Sequence, residues 1–123
     1  MLKISLHHLV FFFRHPRAGE DLFVTLTLVK RLSYIYIMGN ARPTLYVGVT
    51  DDLVKRVFEH KNDLADGFTR RYGLHDLLYY ELFNDIIDAI NREKQLKHWN
   101  REWKLKLIKE FNPEFKDLYS TIL

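Results

Sequence analysis

The chain contains no cysteine, which rules out a disulfide framework and a thiolate zinc cage and fits a reducing, cytoplasmic setting. Long apolar runs are absent too. Residues 6–13 are apolar apart from His7 and His8, far short of the roughly 20 residues that a membrane-spanning helix needs. Lys3 supplies one positive charge ahead of that stretch, but no small-residue cleavage pattern follows, so a secretory leader is not indicated. Charge of one sign is scarce in most of the chain. The net charge of +3 and pI near 9.1 point toward nucleic acid, yet residues 1–31 hold five Lys or Arg against two acids, leaving fourteen against fourteen from Leu32 onward. Internal repeats and low-complexity segments are lacking. What remains is 123 residues, 47% hydrophobic, enough for one domain with its own core.

Within that domain the densest group of reactive side chains lies between residues 34 and 60. Tyr34-Ile35-Tyr36 and Tyr46-Val47-Gly48 sit in two short runs, residues 32–38 and 45–50, rich in β-branched and aromatic residues and separated by Gly39-Asn40-Ala41-Arg42-Pro43. That pattern predicts a β-hairpin. Alternation along a strand puts Tyr34, Tyr36 and Met38 on one face with Tyr46, Gly48 and Thr50, and puts Ile35, Ile37, Val47 and Val49 on the other. Tyrosine pairs across strands stabilise ordinary sheets, so the hairpin alone does not specify a site.

The following segment adds to it. Thr50 or Asp51 can cap a helix running to residue 63, with Leu53, Val57 and Leu64 as its apolar stripe. Arg56 and His60 fall one turn apart at the edge of that stripe, whereas Lys55 and Glu59 fall on the opposite, wet face. Arg56 and His60 are thereby aimed at the hairpin; the plainer alternative is a snorkelling Arg and a hydrogen-bonded His. Farther on, Ile86, Ala89, Ile90 and Glu93 follow helical spacing over residues 85–97, which places the Glu93 carboxylate inside an apolar stripe. A buried carboxylate must neutralise, pair with a cation or bind a metal. The alternatives are an ion pair with Lys97 and a divalent ion; one carboxylate without cysteine suits Mg²⁺, which keeps several waters and takes phosphate oxygens as ligands.

With these residues in place the chain resembles the GIY-YIG nucleases, more narrowly their small stand-alone members, over residues 32–118. Tyr34-Ile35-Tyr36 stands for GIY and Tyr46-Val47-Gly48 for YIG; Arg56, His60, Glu93 and Asn112 fall where the family has its arginine, histidine or tyrosine, metal-binding glutamate and late asparagine. The departures, Tyr34 for glycine and Val47 for isoleucine, leave the reactive groups intact. Residues 76–83 read as a third strand and residues 85–97 and 101–111 as helices, the last stopped by Asn112-Pro113, which gives the order ββαβαα and an α+β fold with helices covering an antiparallel sheet; the resemblance implies a three-stranded sheet of this kind. Residues 1–31 are then an N-terminal extension, either a lineage-specific arm or a start assigned too far upstream, with a strand at 22–29 in which Leu22, Val24, Leu26 and Leu28 share a face. Residues 119–123 form a short tail.

The function so implied is a metal-dependent endonuclease making single-strand cuts in DNA, with one Mg²⁺ or Mn²⁺ on Glu93. Arg56 would offset charge on the phosphoryl oxygens and a tyrosine, Tyr36 or Tyr46, would act as general base. His60 would orient water, position the tyrosine or protonate the leaving oxygen. Tyr34, Gly48 and Asn112 are supporting positions; Gly48 would let the phosphate backbone approach closely, and Asn112 ahead of Pro113 also reads simply as a helix end. Partners are DNA, including branched or damaged forms, with RNA as the weaker alternative and no membrane. Lys61, Arg70, Arg71, Lys94, Lys97, Arg101 and Lys104 are the candidate nucleic-acid contacts, Arg70 and Arg71 on a loop. Trp99 and Trp103 continue the spacing of Leu96 and are expected to pack inward. The remaining histidines, His7, His8, His15, His75 and His98, read as structural or surface residues. The alternative function is a nucleic-acid-binding module that keeps the fold without turnover.

Overall fold

In the computed structural model, which describes residues 32–65 and 67–123, three runs of alternating apolar and aromatic residues form one antiparallel sheet. Strand β1 is Ser33–Gly39, β2 is Leu45–Thr50 and β3 is Asp76–Phe83. The order is β2-β1-β3, with the first strand in the middle. Tyr36 lies opposite Gly48 on one side and Tyr80 on the other. The register with β3 slips between Ile37 and Met38. Met38 then faces Leu77 and Ile37 faces Tyr79, which leaves Leu78 as a bulge residue without a partner.

The two faces carry two separate cores. Ile35, Ile37, Val47 and Val49 pack with Leu78 and Tyr79 beneath helix α3, Ile86–His98, and against Ile108 of helix α4, Arg101–Phe111. On the other face Tyr36 and Met38 pack with Leu53 and Val57 of helix α1, Leu53–Lys61, and with Leu74 and Leu77. A five-residue helix α2, Phe68–Tyr72, lies between α1 and β3. Helices thus cover both faces of a three-stranded antiparallel sheet, the α+β class expected. The apolar stretch at 6–13 and the strand expected at 22–29 lie outside the described residues. Among the described residues no helix is long and apolar enough to cross a membrane.

Helix ends account for several differences from expectation. The cap of α1 is Asp52, whose carboxylate accepts from Lys55 N at 3.2 Å, while Thr50 Oγ1 accepts from Asp52 N and shapes the turn before it. The helix stops at Lys61 instead of residue 63, because Asn62 caps it and Asp63 turns to φ 55°. Leu64 consequently leaves the stripe and is exposed. Asp85 caps α3, with its carboxylate accepting from Ile87 N, and the helix runs one residue past the expected end. Trp99 breaks helicity with ψ 146° and Asn100 caps α4, so Leu96, Trp99 and Trp103 do not share one helical stripe. Leu96 is fully buried and half-buried Trp99 packs against the core as expected, whereas Trp103 is 57% exposed, against the inward packing expected for it.

After α4 the chain turns back onto the tyrosine face. Leu118 N donates to Leu77 O at 2.8 Å, a 3₁₀ turn covers Tyr119–Thr121, and Ile122 packs beside Tyr34 and Tyr80. Asp117 joins this tail to two elements at once, accepting from Leu77 N and pairing with Lys61 at the end of α1. The tail therefore fixes the helix that carries Arg56 and His60.

Candidate active site

The side chains gathered on the tyrosine face are polar groups in an otherwise apolar layer. Tyr36 and His60 are buried, and Tyr36 Oη lies 2.9 Å from His60 Nε2. His60 Nδ1 in turn lies 2.9 Å from Thr69 Oγ1, and Thr69 is buried as well. This chain crosses three elements: β1, α1 and α2. Tyr46, half-buried on the edge strand β2, closes the group, with its ring centroid 5.7 Å from that of His60 and 6.3 Å from that of Tyr36.

Burial sets the protonation states. His60 is shifted down to about 4, chiefly by burial and then by the Arg56 guanidinium, so it is neutral at pH 7. A neutral imidazole has one donor and one acceptor nitrogen. The chain can therefore run from the Tyr36 hydroxyl through Nε2 and out by Nδ1–H to Thr69, or in reverse from the Thr69 hydroxyl to Nδ1 and from Nε2–H to Tyr36. The Tyr36 hydroxyl is pushed well above the ordinary phenol range, chiefly by burial and next by Tyr46, with Arg56 acting against them.

Arg56 lies on the inner side of α1 as the spacing implies, but it is not alone there. Its Nη1 donates to Glu59 Oε1 at 2.9 Å, so the half-buried Glu59 belongs to the site margin instead of the wet face. Arg56 Nε is buried and has no hydrogen-bond partner. Such an unsatisfied donor costs about 1–3 kcal/mol unless something binds it, and a phosphate oxygen has the right chemistry.

Gly48 has a structural reason different from the one its position suggested. A Cβ built there would stand 2.5 Å from Cζ and Oη of Tyr36. Because the two residues are paired across β1 and β2, the missing side chain makes room for the Tyr36 ring, and the space is not open to a phosphate. Tyr34 lies on the same face but at the other end of the strand, where it lines a cavity of about 400 Å³ with Asp51, Asp52, Tyr80 and Ile122.

Glu93 is buried, as its place in the α3 stripe requires, and its Oε2 is 2.8 Å from Lys97 Nζ. The ion-pair alternative is thus the contact observed. Helix α3 covers the aliphatic face, packing across β1 and β2, so Glu93 approaches from the layer opposite Tyr36 and His60, and β2 is the edge strand between that layer and Tyr46. Among the described residues no three His, Cys, Asp or Glu side chains cluster to hold a metal.

Other expected contacts are distributed differently. Asn112 is a buried structural residue: its Nδ2 donates to Leu78 O and Lys116 O, and its Oδ1 accepts from Lys116 N. It ties the tail to β3 and stands away from the tyrosines. Lys61 is held by Asp117 and lies 5.2 Å from the Tyr119 ring, Lys97 is held by Glu93, and Arg101 donates to Pro43 O at 2.6 Å. Lys94 is exposed on α3 and Lys104 half-exposed on α4. Arg70 and Arg71 lie on α2, not on a loop. Of the remaining described histidines, His75 pairs with Asp63 at the surface and His98 Nδ1 lies 2.7 Å from Lys94 O. Thr69 is the residue that spacing missed. Its signal, a hydroxyl flanked by Phe68 and two arginines between Gly67 and Gly73, is too short for periodicity to register.

The profile of the GIY-YIG catalytic domain matches residues 32–106. The chain belongs to the GIY-YIG family. Its relatives include a UPF0213 protein of Staphylococcus saprophyticus, 36% identical over 77 residues that make up 63% of this chain and 94% of that one. Another is a UPF0213 protein of Clostridium perfringens, also 36% identical over 77 residues, 83% of its length. A solution NMR structure of a UPF0213 protein from Bacillus halodurans is 24% identical, covers 70% of this chain and 92% of that one, and has a TM-score of 0.47. In GIY-YIG terms, Tyr36, Tyr46, Arg56 and His60 converge on one face, Glu93 stands in the opposite layer, and Asn112 serves the fold.

Proposed function

We propose that this GIY-YIG domain is a metal-dependent endonuclease that hydrolyses phosphodiester bonds in DNA by single-strand cuts. The observation that carries the reading is the buried Tyr36–His60–Thr69 chain beside an arginine with an unsatisfied buried Nε. A packed aromatic sheet does not need a neutral histidine wired to two hydroxyls. A site that moves protons next to an anion does.

The two tyrosines take different roles in this reading. Tyr36 is fully buried and its phenolate is disfavoured, so it is a poor base at neutral pH. It holds His60 in place. Tyr46 is half-exposed and touches the His60 ring, so it is the hydroxyl that can meet water. Arg56, whose guanidinium already interacts with Tyr36 and Glu59, would stabilise a phosphoryl oxygen as charge builds there once the substrate draws the guanidinium outward. The single buried carboxylate of Glu93, with no ligand cluster around it among the described residues, fits a hard ion such as Mg²⁺ or Mn²⁺ held mostly by water and substrate oxygens, and does not fit a closed zinc cage. Such an ion, when bound, would neutralise phosphoryl charge and ease ionisation of nearby hydroxyls. A phosphate seated at the β2 edge would face Tyr46 from one layer and Glu93 from the other. Lys94, Lys104 and Arg71, exposed or half-exposed, suit contacts to the flanking backbone.

One observation favours the second reading, a binding module without turnover: Lys97 already compensates Glu93. The deciding experiment is nicking of supercoiled plasmid with and without Mg²⁺ by the natural sequence and by Glu93→Ala. The nuclease reading expects metal-dependent nicking that the substitution abolishes in a folded protein. An unchanged rate in Glu93→Ala would refute it.

A further inference from the structure

The outer face of α2 takes no part in the chemistry above, and it is built in an unusual way for solvent. Phe68 and Tyr72 are 45% and 46% exposed. Their ring centroids are 4.7 Å apart, and Phe68 stacks on Tyr46 with an interplanar angle of 26° and a centroid distance of 6.4 Å. Tyr46, Phe68 and Tyr72 therefore form a continuous aromatic strip that begins at half-buried Tyr46 of the site and continues through two exposed rings.

The strip rests on a fixed base. Thr69, between the two exposed rings, is buried and bonded to His60. Asn40 in the β1–β2 turn donates to Tyr72 O at 3.1 Å. Gly73 ends the helix in the left-handed conformation, φ 62°, donating to Arg70 O and Thr69 O. The charged residues of α2 itself are both arginines, Arg70 and Arg71. The Arg71 guanidinium stands 5.6 Å from the Tyr72 ring centre and is exposed.

We propose that Phe68 and Tyr72 stack unpaired bases of the DNA strand adjoining the scissile phosphate, so that the enzyme selects single-stranded or locally unpaired DNA over continuous duplex. The inference rests on the nuclease reading of the neighbouring site and names its substrate class. A base inside a duplex already spends both π faces on its neighbours; an unpaired base offers them, and every base has one, so stacking selects strandedness without selecting sequence. The cationic rim matches the phosphate that accompanies each base.

Binding without metal separates this inference from the chemistry. Fluorescence anisotropy in EDTA with a labelled single-stranded DNA oligonucleotide and with the same sequence as a duplex would compare the natural sequence, Phe68→Leu, Tyr72→Leu and Phe68→Trp. Each leucine should weaken single-strand binding roughly 5- to 100-fold, as expected for one lost stacked base. Duplex affinity and thermal midpoint should stay unchanged, and Phe68→Trp should keep the preference. Equal weakening of both DNAs, or none, would overturn the proposal, and tighter leucine-sensitive binding of the matching RNA would overturn its choice of DNA. The outcome is independent of whether Glu93→Ala abolishes nicking, so either reading can fail alone.

Discussion

Replacing Gly48 with alanine adds a single methyl group where the structure has least room. The new carbon would lie 2.5 Å from Cζ and Oη of Tyr36 and 2.8 Å from Cε1, whereas carbon atoms prefer about 3.5–4.0 Å. The ring would have to retreat by about 1 Å, yet Tyr36 is fully buried and its hydroxyl is 2.9 Å from His60 Nε2. Overpacking of this kind costs about 1–3 kcal/mol. Losing the Tyr36–His60 bond leaves buried polar atoms unsatisfied, about 1–3 kcal/mol more. Relief of glycine's strand penalty returns roughly 0.5–1 kcal/mol. The net expectation is a loss of about 1–5 kcal/mol, measured by urea titration with an unchanged m-value. The same variant should shift the His60 side-chain nitrogen resonances, since its partner has moved. A midpoint within about 0.5 kcal/mol of the natural sequence, the range of a neutral surface change, would show that Gly48 is not there to make room for Tyr36.

Three further outcomes follow from the same site. Thr69→Val should destabilise by about 1–3 kcal/mol by orphaning buried Nδ1 of His60, and should lower kcat more than it raises KM in plasmid nicking; Thr69→Ser should restore both, and equal behaviour of Val and Ser would contradict a hydrogen-bonding role. His60 is held near 4 in the folded protein against an ordinary 6.5. The unfolded chain therefore takes up its proton first as pH falls, and stability should decline from about pH 6.5 toward pH 4, by up to about 3 kcal/mol from this group; His60→Gln should flatten that decline between pH 6.5 and 5, which denaturant midpoints at stepped pH would read. Lys97→Met should remove the cation that competes for Glu93 and lower the Mg²⁺ concentration giving half-maximal nicking, whereas a raised requirement would mean that Lys97 assists the metal.

Much of the architecture was legible along the chain because it depends on local periodicity. The bounds of β2, β3 and α4 follow directly from alternation, helical spacing and Asn112-Pro113. Tyr36, Tyr46 and His60 could be assigned to one face by counting, since the faces of strands and helices are fixed by their repeat. Counting fails where an element is shorter than its own period or where a polar partner lies far away. Helix α2, five residues between two glycines, has no stripe to detect, and Thr69 went with it. Glu59 falls on the wet side of a helical wheel but is drawn in by Arg56. Lys61 looked like a free cation until Asp117, 56 residues on, was found beside it.

The sequence by itself carried the motif residues through which the chain matches its family, and it determined the three strands, the long helices and the facing of the tyrosine wall, because these elements follow from residue type and repeat distance within a few residues. Only the tertiary structure decided what those groups do to one another. It set the β2-β1-β3 order that pairs Gly48 with Tyr36 and placed Thr69 against His60. It also put Glu93 in the layer opposite the tyrosines and turned Phe68 and Tyr72 outward beside Tyr46. These depend on distances between residues far apart in the chain, and on burial, which raises the Tyr36 hydroxyl and keeps His60 neutral. No local pattern carries that information.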